Sequence, residues 1–192
     1  MMADKKDQRI LEAAKKLFAK YGLKKTSISD IAKKAGVGKG TVYSYYQGKE
    51  ELFATVVRHE AATFLSMLRK AVRQADSAKE KLRTFLMSHF KQLEEVATLH
   101  QITREAMYEL WPEAERALQD LRLEEQSILT DILEQGEENG ELEVKDVKLV
   151  SAAMYAAIKA LETPWMLDGR ELALDRKAEA LVDLVLRGLS KK

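Results

Sequence analysis

The side chains best suited to contact a partner molecule lie in a short stretch that starts at Lys39. Lys39, Gly40 and Thr41 supply a cation, a backbone position without a side chain and a small hydroxyl. Tyr43 and Tyr45 add further hydrogen-bonding groups. A short, exposed helix with such groups fits the major groove of B-DNA, which is about 12 Å wide. The pattern therefore predicts hydrogen bonding to nucleic acid.

Two short helices joined by the glycine-bearing turn Ala35-Gly36-Val37-Gly38 are predicted to position this stretch. Ser27 and Asp30 form a predicted capping box at the start of the first helix. In the second helix Val42 and Tyr46 lie one turn apart, so both can face a core. Such a turn sets the second helix across the first, and an amphipathic helix precedes the pair. The sequence thus predicts a helix-turn-helix in a three-helix unit.

The charge is distributed unevenly along the chain. Residues 1–50 contain 12 Lys and Arg against 5 Asp and Glu, a net charge of +7. The other residues contain 20 against 26, a net charge of −6. A basic module joined to an acidic one is typical of a protein that binds a polyanion at one end.

Beyond the helix-turn-helix, apolar residues recur at helical spacing almost to the end of the chain. A long fourth helix is predicted to Gln74, and others are predicted over 77–96, 98–110, 112–135 and 171–189 and from Asp146. Thr163-Pro164 is expected to interrupt the helix from Asp146. The predicted fold is all-α with about nine helices, in a domain over 1–48 and a helical bundle over 49–192.

The sequence gives little support to an enzyme. Val37-Gly38-Lys39-Gly40-Thr41 only faintly resembles a phosphate-binding loop, because the required glycine and the hydroxyl after lysine are missing. The three histidines are dispersed and there is no cysteine, so neither a metal nor another cofactor is expected. No apolar run is long enough to cross a bilayer, and no signal peptide is visible, so we expect a cytoplasmic protein without a membrane partner.

Ordered motifs over about residues 8–55 resemble the tetracycline-repressor (TetR) family. They are Thr26-Ser27-Ile28-Ser29-Asp30-Ile31-Ala32, Ala35-Gly36-Val37, Gly40-Thr41-Val42-Tyr43 and Lys49-Glu50-Glu51-Leu52-Phe53. The chain departs from the family at Gly38, where a serine is frequent, and at Tyr46, where phenylalanine is usual. The hydroxyl of Tyr46 needs a partner when the ring is buried.

The resemblance implies a homodimer that places two helix-turn-helix modules on double-stranded operator DNA. It implies DNA contacts from the second helix of each module and phosphate contacts from the starts of the neighbouring helices. The residues at these positions are Thr26, Ser27, Lys39, Gly40, Thr41, Tyr43, Tyr45 and Lys49. The last two helices resemble the family's dimerising pair, with small and apolar residues at Ala152, Ala156, Ala160, Leu181 and Leu184.

Aromatic residues, methionines and one histidine in the larger domain are candidates for an adaptable apolar cavity that binds a small-molecule effector. The same residues also suit an ordinary core, and the sequence leaves both interpretations open. The candidates are Phe64, Met67, Phe85, His89, Met107, Tyr108, Trp111, Met154, Tyr155 and Trp165.

The function predicted from these patterns is a ligand-responsive transcriptional regulator, most simply a repressor released by a small, largely apolar effector. The alternative is a DNA-binding regulator or activator without a small-molecule effector.

Overall fold

The computed structural model describes residues 5–100, 112, 115–168 and 174–189. These residues form eight helices and no strand. The helices are α1 (Lys5–Lys25), α2 (Ile28–Ala35), α3 (Lys39–Tyr45), α4 (Lys49–Arg73), α5 (Ala78–His100), α6 (Gln119–Glu138), α7 (Val147–Asp168) and α8 (Leu174–Leu189). The predicted all-α fold is confirmed.

Two of the predictions about helices are not confirmed. The helix expected over 98–110 lies almost entirely outside the described residues. The interruption expected at Thr163-Pro164 is wrong, because α7 continues through both residues to Asp168. Proline removes one backbone hydrogen bond from a helix interior, which a long helix can tolerate when the turns on either side persist.

The chain divides into two compact units. The N-terminal unit comprises Met1–Ala61 with Ala97–Gln119, and the C-terminal unit comprises Ala62–Val96 with Asp120–Lys192. Helix α4 contributes residues to both units. The boundary predicted between residues 48 and 49 stays a prediction.

The N-terminal unit is built on one apolar cluster that contains residues of α1, α2, α3 and the first half of α4. The ring of Phe18 meets that of Phe53 edge-on, with centroids 5.4 Å apart. Helix α1 has a break at Gly22, whose φ is 76° and ψ 175°. A positive φ is easily adopted only by glycine.

The C-terminal unit has its own core, formed by α4 beyond Ala61 and by α5, α6, α7 and α8. Phe85, Leu82, Leu129, Leu133 and Ile158 are completely buried in it. Helical periodicity supplies these residues, since each helix directs one apolar stripe inward.

Candidate nucleic-acid interface

The turn between α2 and α3 is fixed by backbone and side-chain hydrogen bonds. Gly36 ends α2 in the left-handed conformation (φ 65°, ψ 42°), and the amide of Val37 donates to the Ala32 carbonyl over 3.0 Å. The Arg9 guanidinium, from α1, donates to the Gly36 carbonyl over 3.1 Å. The positive φ favours glycine at position 36, and a Cβ there would also displace the end of the flexible Arg9 side chain, 2.5 Å away.

The capping box predicted at the start of α2 is present. The Ser27 hydroxyl accepts from the Asp30 amide at 3.1 Å, and the Asp30 carboxylate accepts from the Ser27 amide. This reciprocal arrangement satisfies two amides that a helix start leaves without partners. It fixes the direction of α2 and therefore of the turn that follows.

Helix α3 has one buried side and one side open to solvent. Val42 is fully buried, and Tyr46, which follows the helix, is nearly so. Lys39 and Gly40 are exposed, whereas Tyr43 and Tyr45 keep 50% and 36% of their surface accessible. Both tyrosines are therefore accessible to a partner molecule.

The outward side of α3 is open and offers hydrogen-bonding groups. No atom lies within 4 Å of a Cβ built at Gly40, so another backbone can approach closely there. The Lys39 ammonium lies 5.8 Å from the centre of the Tyr43 ring. Thr41 is half-buried. Cation, phenol and bare backbone thus lie within two turns of one helix.

Three residues predicted to contact phosphates are held by the protein itself. Thr26 is buried and its hydroxyl donates to the Gly22 carbonyl over 2.7 Å. The Lys49 ammonium donates to the Leu23 carbonyl over 2.9 Å. Ser27 is exposed but belongs to the capping box. Their contacts with DNA stay predictions, and the geometry gives them a bracing role at the end of α1 and the start of α2.

Tyr46 has the partner that its burial requires. Its hydroxyl donates to the Asp7 carboxylate, from the first turn of α1. Burial, and then this hydrogen bond, raise the pKa of Tyr46 well above the usual value for tyrosine. Sequence reasoning identified the need for a partner but not Asp7, which is 39 residues away along the chain.

Cations of α1 and α2 surround a groove of about 670 Å³ in the N-terminal unit. Lys5, Arg9, Lys16, Lys33 and Lys34 line it, with one acid among the lining residues. The net positive charge of residues 1–50 is thus partly concentrated on one surface, which strengthens attraction to a polyanion.

The predicted effector residues of the C-terminal unit fall into distinct environments. Phe64, Phe85 and His89 are buried together, with the His89 ring 5.4 Å and 4.9 Å from the two phenylalanine rings. Tyr155 belongs to the same core, and Met154 packs against it. These residues form a buried, largely apolar interior, and an effector cavity among them stays a prediction.

Of the remaining predicted effector residues, only Met67 has a side chain within the described part of the chain. Met67 keeps 54% of its surface exposed, so packing gives no support to its predicted place in a cavity. Met107, Tyr108, Trp111 and the side chain of Trp165 lie outside the described residues.

A polar cluster that sequence reasoning missed lies beside the apolar interior. The Tyr155 hydroxyl donates to the Glu125 carboxylate over 2.6 Å, and the Lys159 ammonium lies 3.5 Å from the same carboxylate. Next to them along α6 and α7, the hydroxyls of Thr130 and Ser151 are 2.8 Å apart. Glu125 and Tyr155 are 30 residues apart in the sequence, so no local pattern predicts that they form a pair.

The family description "Bacterial regulatory proteins, tetR family" matches residues 10–56. The description "Tetracyclin repressor-like, C-terminal domain" matches residues 75–189, more than half of the chain. The chain belongs to the TetR family. It is a DNA-binding transcriptional regulator.

Similar proteins include regulators of lipid metabolism. This TetR-family chain is 26% identical to the fatty acid metabolism regulator protein of Bacillus subtilis, over 97% of each chain. It is 26% identical to the transcriptional repressor KstR2 of Mycolicibacterium smegmatis, over 98% of this chain and 92% of that one. The crystal structure of FadR from Bacillus subtilis with stearoyl-CoA matches with a TM-score of 0.72 and 26% identity, over 94% of this chain and 98% of that one.

The residues predicted for dimerisation of this TetR-family protein lie mostly on open surface. Ala152, Ala156 and Ala160 of α7 are exposed, and Leu184 of α8 is 70% exposed. Leu181 is half-buried. Leu149 at the start of α7, which the sequence prediction omitted, is 66% exposed. The two helices therefore carry apolar side chains that their own unit does not cover.

Neither a metal site nor a membrane-crossing helix is found in the part of this TetR-family chain that the structure describes. No three His, Asp or Glu side chains come together there in a way that could hold a metal ion. Within the same ranges, no helix combines the length and apolar character that a bilayer crossing requires.

Proposed function

We propose that this regulator is a repressor that binds a palindromic operator as a homodimer and is released by a long-chain fatty acyl-CoA. The observation that carries the proposal is the two-sided packing of α3. Val42 and Tyr46 fix the inner side in the core, while Lys39, Tyr43 and Tyr45 remain accessible on the outer side. A helix held in this way presents a preorganised surface to the major groove.

Within this proposal, Lys39, Gly40, Thr41, Tyr43 and Tyr45 contact DNA directly. Lysine and the phenol hydroxyls hydrogen bond to phosphates or base edges, and Gly40 lets the helix backbone come close. Ser27 adds a contact at the start of α2. Thr26 and Lys49 act mainly by holding the end of α1, and any phosphate contact from them is secondary.

The proposed dimer uses α7 and α8. Leu149 and Leu184 are large aliphatic side chains that their own chain leaves mostly exposed to water. A second copy packed against them would bury them. Alanines at every fourth position of α7 let a partner helix approach closely. A twofold dimer also matches the symmetry of a palindromic operator, whose half-sites lie about 34–36 Å apart.

The proposed effector follows from the relatives and from the apolar interior of the C-terminal unit. The similar proteins include the fatty acid metabolism regulator of Bacillus subtilis, and the similar structures include FadR of that organism with stearoyl-CoA. The buried Phe64 and Phe85 offer the environment that an acyl chain needs. An effector can release DNA only by binding the DNA-free conformation of the protein more tightly than the DNA-bound one. Helix α4 contributes to both units, so it would couple effector binding to DNA binding.

The test is footprinting on the DNA upstream of the chain's own gene, with and without stearoyl-CoA. We expect one protected, palindromic segment, a mass in solution that corresponds to two chains, and loss of protection when stearoyl-CoA is added. Absence of specific protection would contradict DNA regulation. Protection that persists at saturating stearoyl-CoA would favour a regulator or activator without this effector.

A non-enzymatic role and a cytoplasmic location are part of the same proposal. The relatives are transcriptional regulators, and a bacterial operator is found in the cytoplasm. Hydrolysis of stearoyl-CoA by the purified protein would contradict the first statement.

A further inference from the structure

The C-terminal unit has a basic groove that the predictions from sequence did not include. It has a volume of about 490 Å³ and lies between the end of α4 and the start of α6. Arg69, Lys70 and Arg73 line it from α4, and Glu124 lines it from α6. All three cations are exposed to solvent. The groove thus carries more positive than negative charge, although residues 51–192 as a whole are acidic.

The groove also adjoins the apolar interior. Leu65, which lines the groove, is 4% exposed and belongs to the core with Phe64 and Phe85. Leu121, on the α6 side, packs against the same core. A ligand with an anionic head and a long apolar chain could therefore place its head among the cations and its chain among the core residues.

We infer that this groove binds the phosphate groups of an acyl-CoA effector through Arg69, Lys70 and Arg73. The inference rests on the proposed function and adds the part of the site that reads the CoA head. Guanidinium groups form paired, charge-assisted hydrogen bonds with phosphate oxygens, and lysine adds a point charge. CoA carries a diphosphate and a separate phosphate, whereas a free fatty acid carries none of them. The groove would therefore favour a fatty acyl-CoA over the corresponding free fatty acid.

Glu124 gives this binding surface a competing internal partner. Its carboxylate lies 2.7 Å from the Arg69 guanidinium, and both side chains are about half exposed. An exposed ion pair of this kind contributes little to stability. Replacing Glu124 by a phosphate as the partner of Arg69 therefore costs little free energy. Glu124 would hold Arg69 in place before the effector arrives and would oppose the effector electrostatically.

A helix-dipole role is the other explanation for part of the groove. Cations in the last turn of a helix interact favourably with its carbonyl end, and Lys70 and Arg73 are in the last turn of α4. That role predicts that any neutral replacement lowers helix stability and that Glu124 has no opposing effect on ligand binding. The two explanations therefore differ in whether replacement of Glu124 changes the affinity for the ligand.

The experiment is calorimetric titration of the full-length protein with stearoyl-CoA, stearate and CoA. The variants are the double substitution Arg69→Gln/Arg73→Gln, the single substitution Glu124→Gln, and Lys145→Gln. Lys145 is an exposed residue of the same unit, outside the groove lining, and its replacement controls for loss of one positive charge. Thermal melts establish that each variant is folded.

We expect the double variant to bind stearoyl-CoA about tenfold to hundredfold more weakly, with a weaker dependence on salt, and to lose much less affinity for stearate. Glu124→Gln should bind stearoyl-CoA several-fold more tightly, and Lys145→Gln should resemble the wild type. CoA alone should bind weakly and lose affinity in the double variant.

Three contradicting outcomes are distinguishable. A folded double variant that binds stearoyl-CoA as the wild type does would overturn the groove assignment and leave the proposed effector intact. A wild-type protein that binds no stearoyl-CoA would overturn the proposed effector and the groove assignment together. Unchanged binding of stearoyl-CoA by Glu124→Gln would support the helix-dipole explanation, and unchanged or weaker binding would contradict the inference.

Discussion

The two compact units use their polar side chains in different ways. In the N-terminal unit, Thr26, Lys49 and Arg9 all donate to backbone carbonyls at the ends of α1 and α2. In the C-terminal unit, the described side-chain hydrogen bonds that join one helix to another pair two side chains, as in Tyr155–Glu125 and Arg69–Glu124. Side chains that hold the backbone fix where a helix points, whereas paired side chains can exchange partners.

This difference agrees with the two tasks of a ligand-responsive regulator. A DNA-reading helix works best when its outer side chains are placed before contact, because ordering them afterwards costs entropy. An effector site must accept a ligand and change in response, so contacts that a ligand group can replace are useful there. Substitutions in each unit should therefore have separable effects on DNA binding and on effector binding.

The largest expected effect is in the core of the N-terminal unit. Phe18→Ala removes a ring that is 2% exposed and packed edge-on against Phe53, which should lower the free energy of unfolding by about 3–5 kcal/mol. Operator binding should be lost, while stearoyl-CoA still binds, because the C-terminal core has its own residues. Urea unfolding and calorimetry measure the two effects. Leu17→Ala, at a half-buried position of the same helix, is the milder control, and loss of effector binding in Phe18→Ala would break the contrast.

The next effect concerns the outer side of α3. Tyr43→Ala should weaken specific operator binding by about 1–3 kcal/mol and leave binding to unrelated DNA nearly unchanged, because a base contact carries sequence preference. Tyr21→Ala is a matched control, since Tyr21 lies in the same unit, outside α3, with 46% of its surface exposed against 50% for Tyr43. Gel-shift titrations measure the dissociation constants for operator DNA and for random DNA. Equal losses for the two variants would contradict the assignment of α3 as the reading helix.

The helix-turn-helix could be predicted from sequence because its signals are local. The capping box at Ser27, the left-handed position at Gly36 and the one-turn spacing of Val42 and Tyr46 each depend on residues within a few positions of one another. Helix periodicity and turn chemistry act over that distance. Because every signal lies within one short segment, the order and spacing of its residues are enough to indicate the family.

The contacts that complete each site could not be predicted in this way. Arg9 and Gly36 are 27 residues apart, and Arg69 and Glu124 are 55 apart. Charge or hydrogen-bonding capacity was visible at each position, but the partner depends on how helices pack. Exposure was equally hard to predict, since Met67 resembles a core residue by type and yet lies on the surface.

A smaller effect is expected in the polar cluster of the C-terminal unit. Tyr155→Phe leaves the Glu125 carboxylate, whose side chain is only 12% exposed, without its 2.6 Å donor. Loss of a donor to a buried charged group should cost about 1–3 kcal/mol of stability and also lower the affinity for stearoyl-CoA. Urea unfolding and calorimetry provide the two readouts. A stability loss with unchanged stearoyl-CoA affinity would place the pair outside the effector's reach.

The smallest effect comes from the corresponding substitution in the N-terminal unit. Tyr46→Phe removes a hydroxyl that donates to Asp7, which is half-buried and remains hydrated, so the loss should be about 0.5–1.5 kcal/mol, less than for Tyr155→Phe. The pKa of Tyr46 is raised in the folded protein, so the hydroxyl contributes fully below about pH 10, the ordinary tyrosine value, and the contribution disappears as the pH rises further. Urea unfolding of wild type and Tyr46→Phe at pH 7 and pH 11 should therefore give a difference that shrinks at the higher pH. If the difference grew, the hydroxyl would be stabilised as the anion, and Asp7 could not be its acceptor.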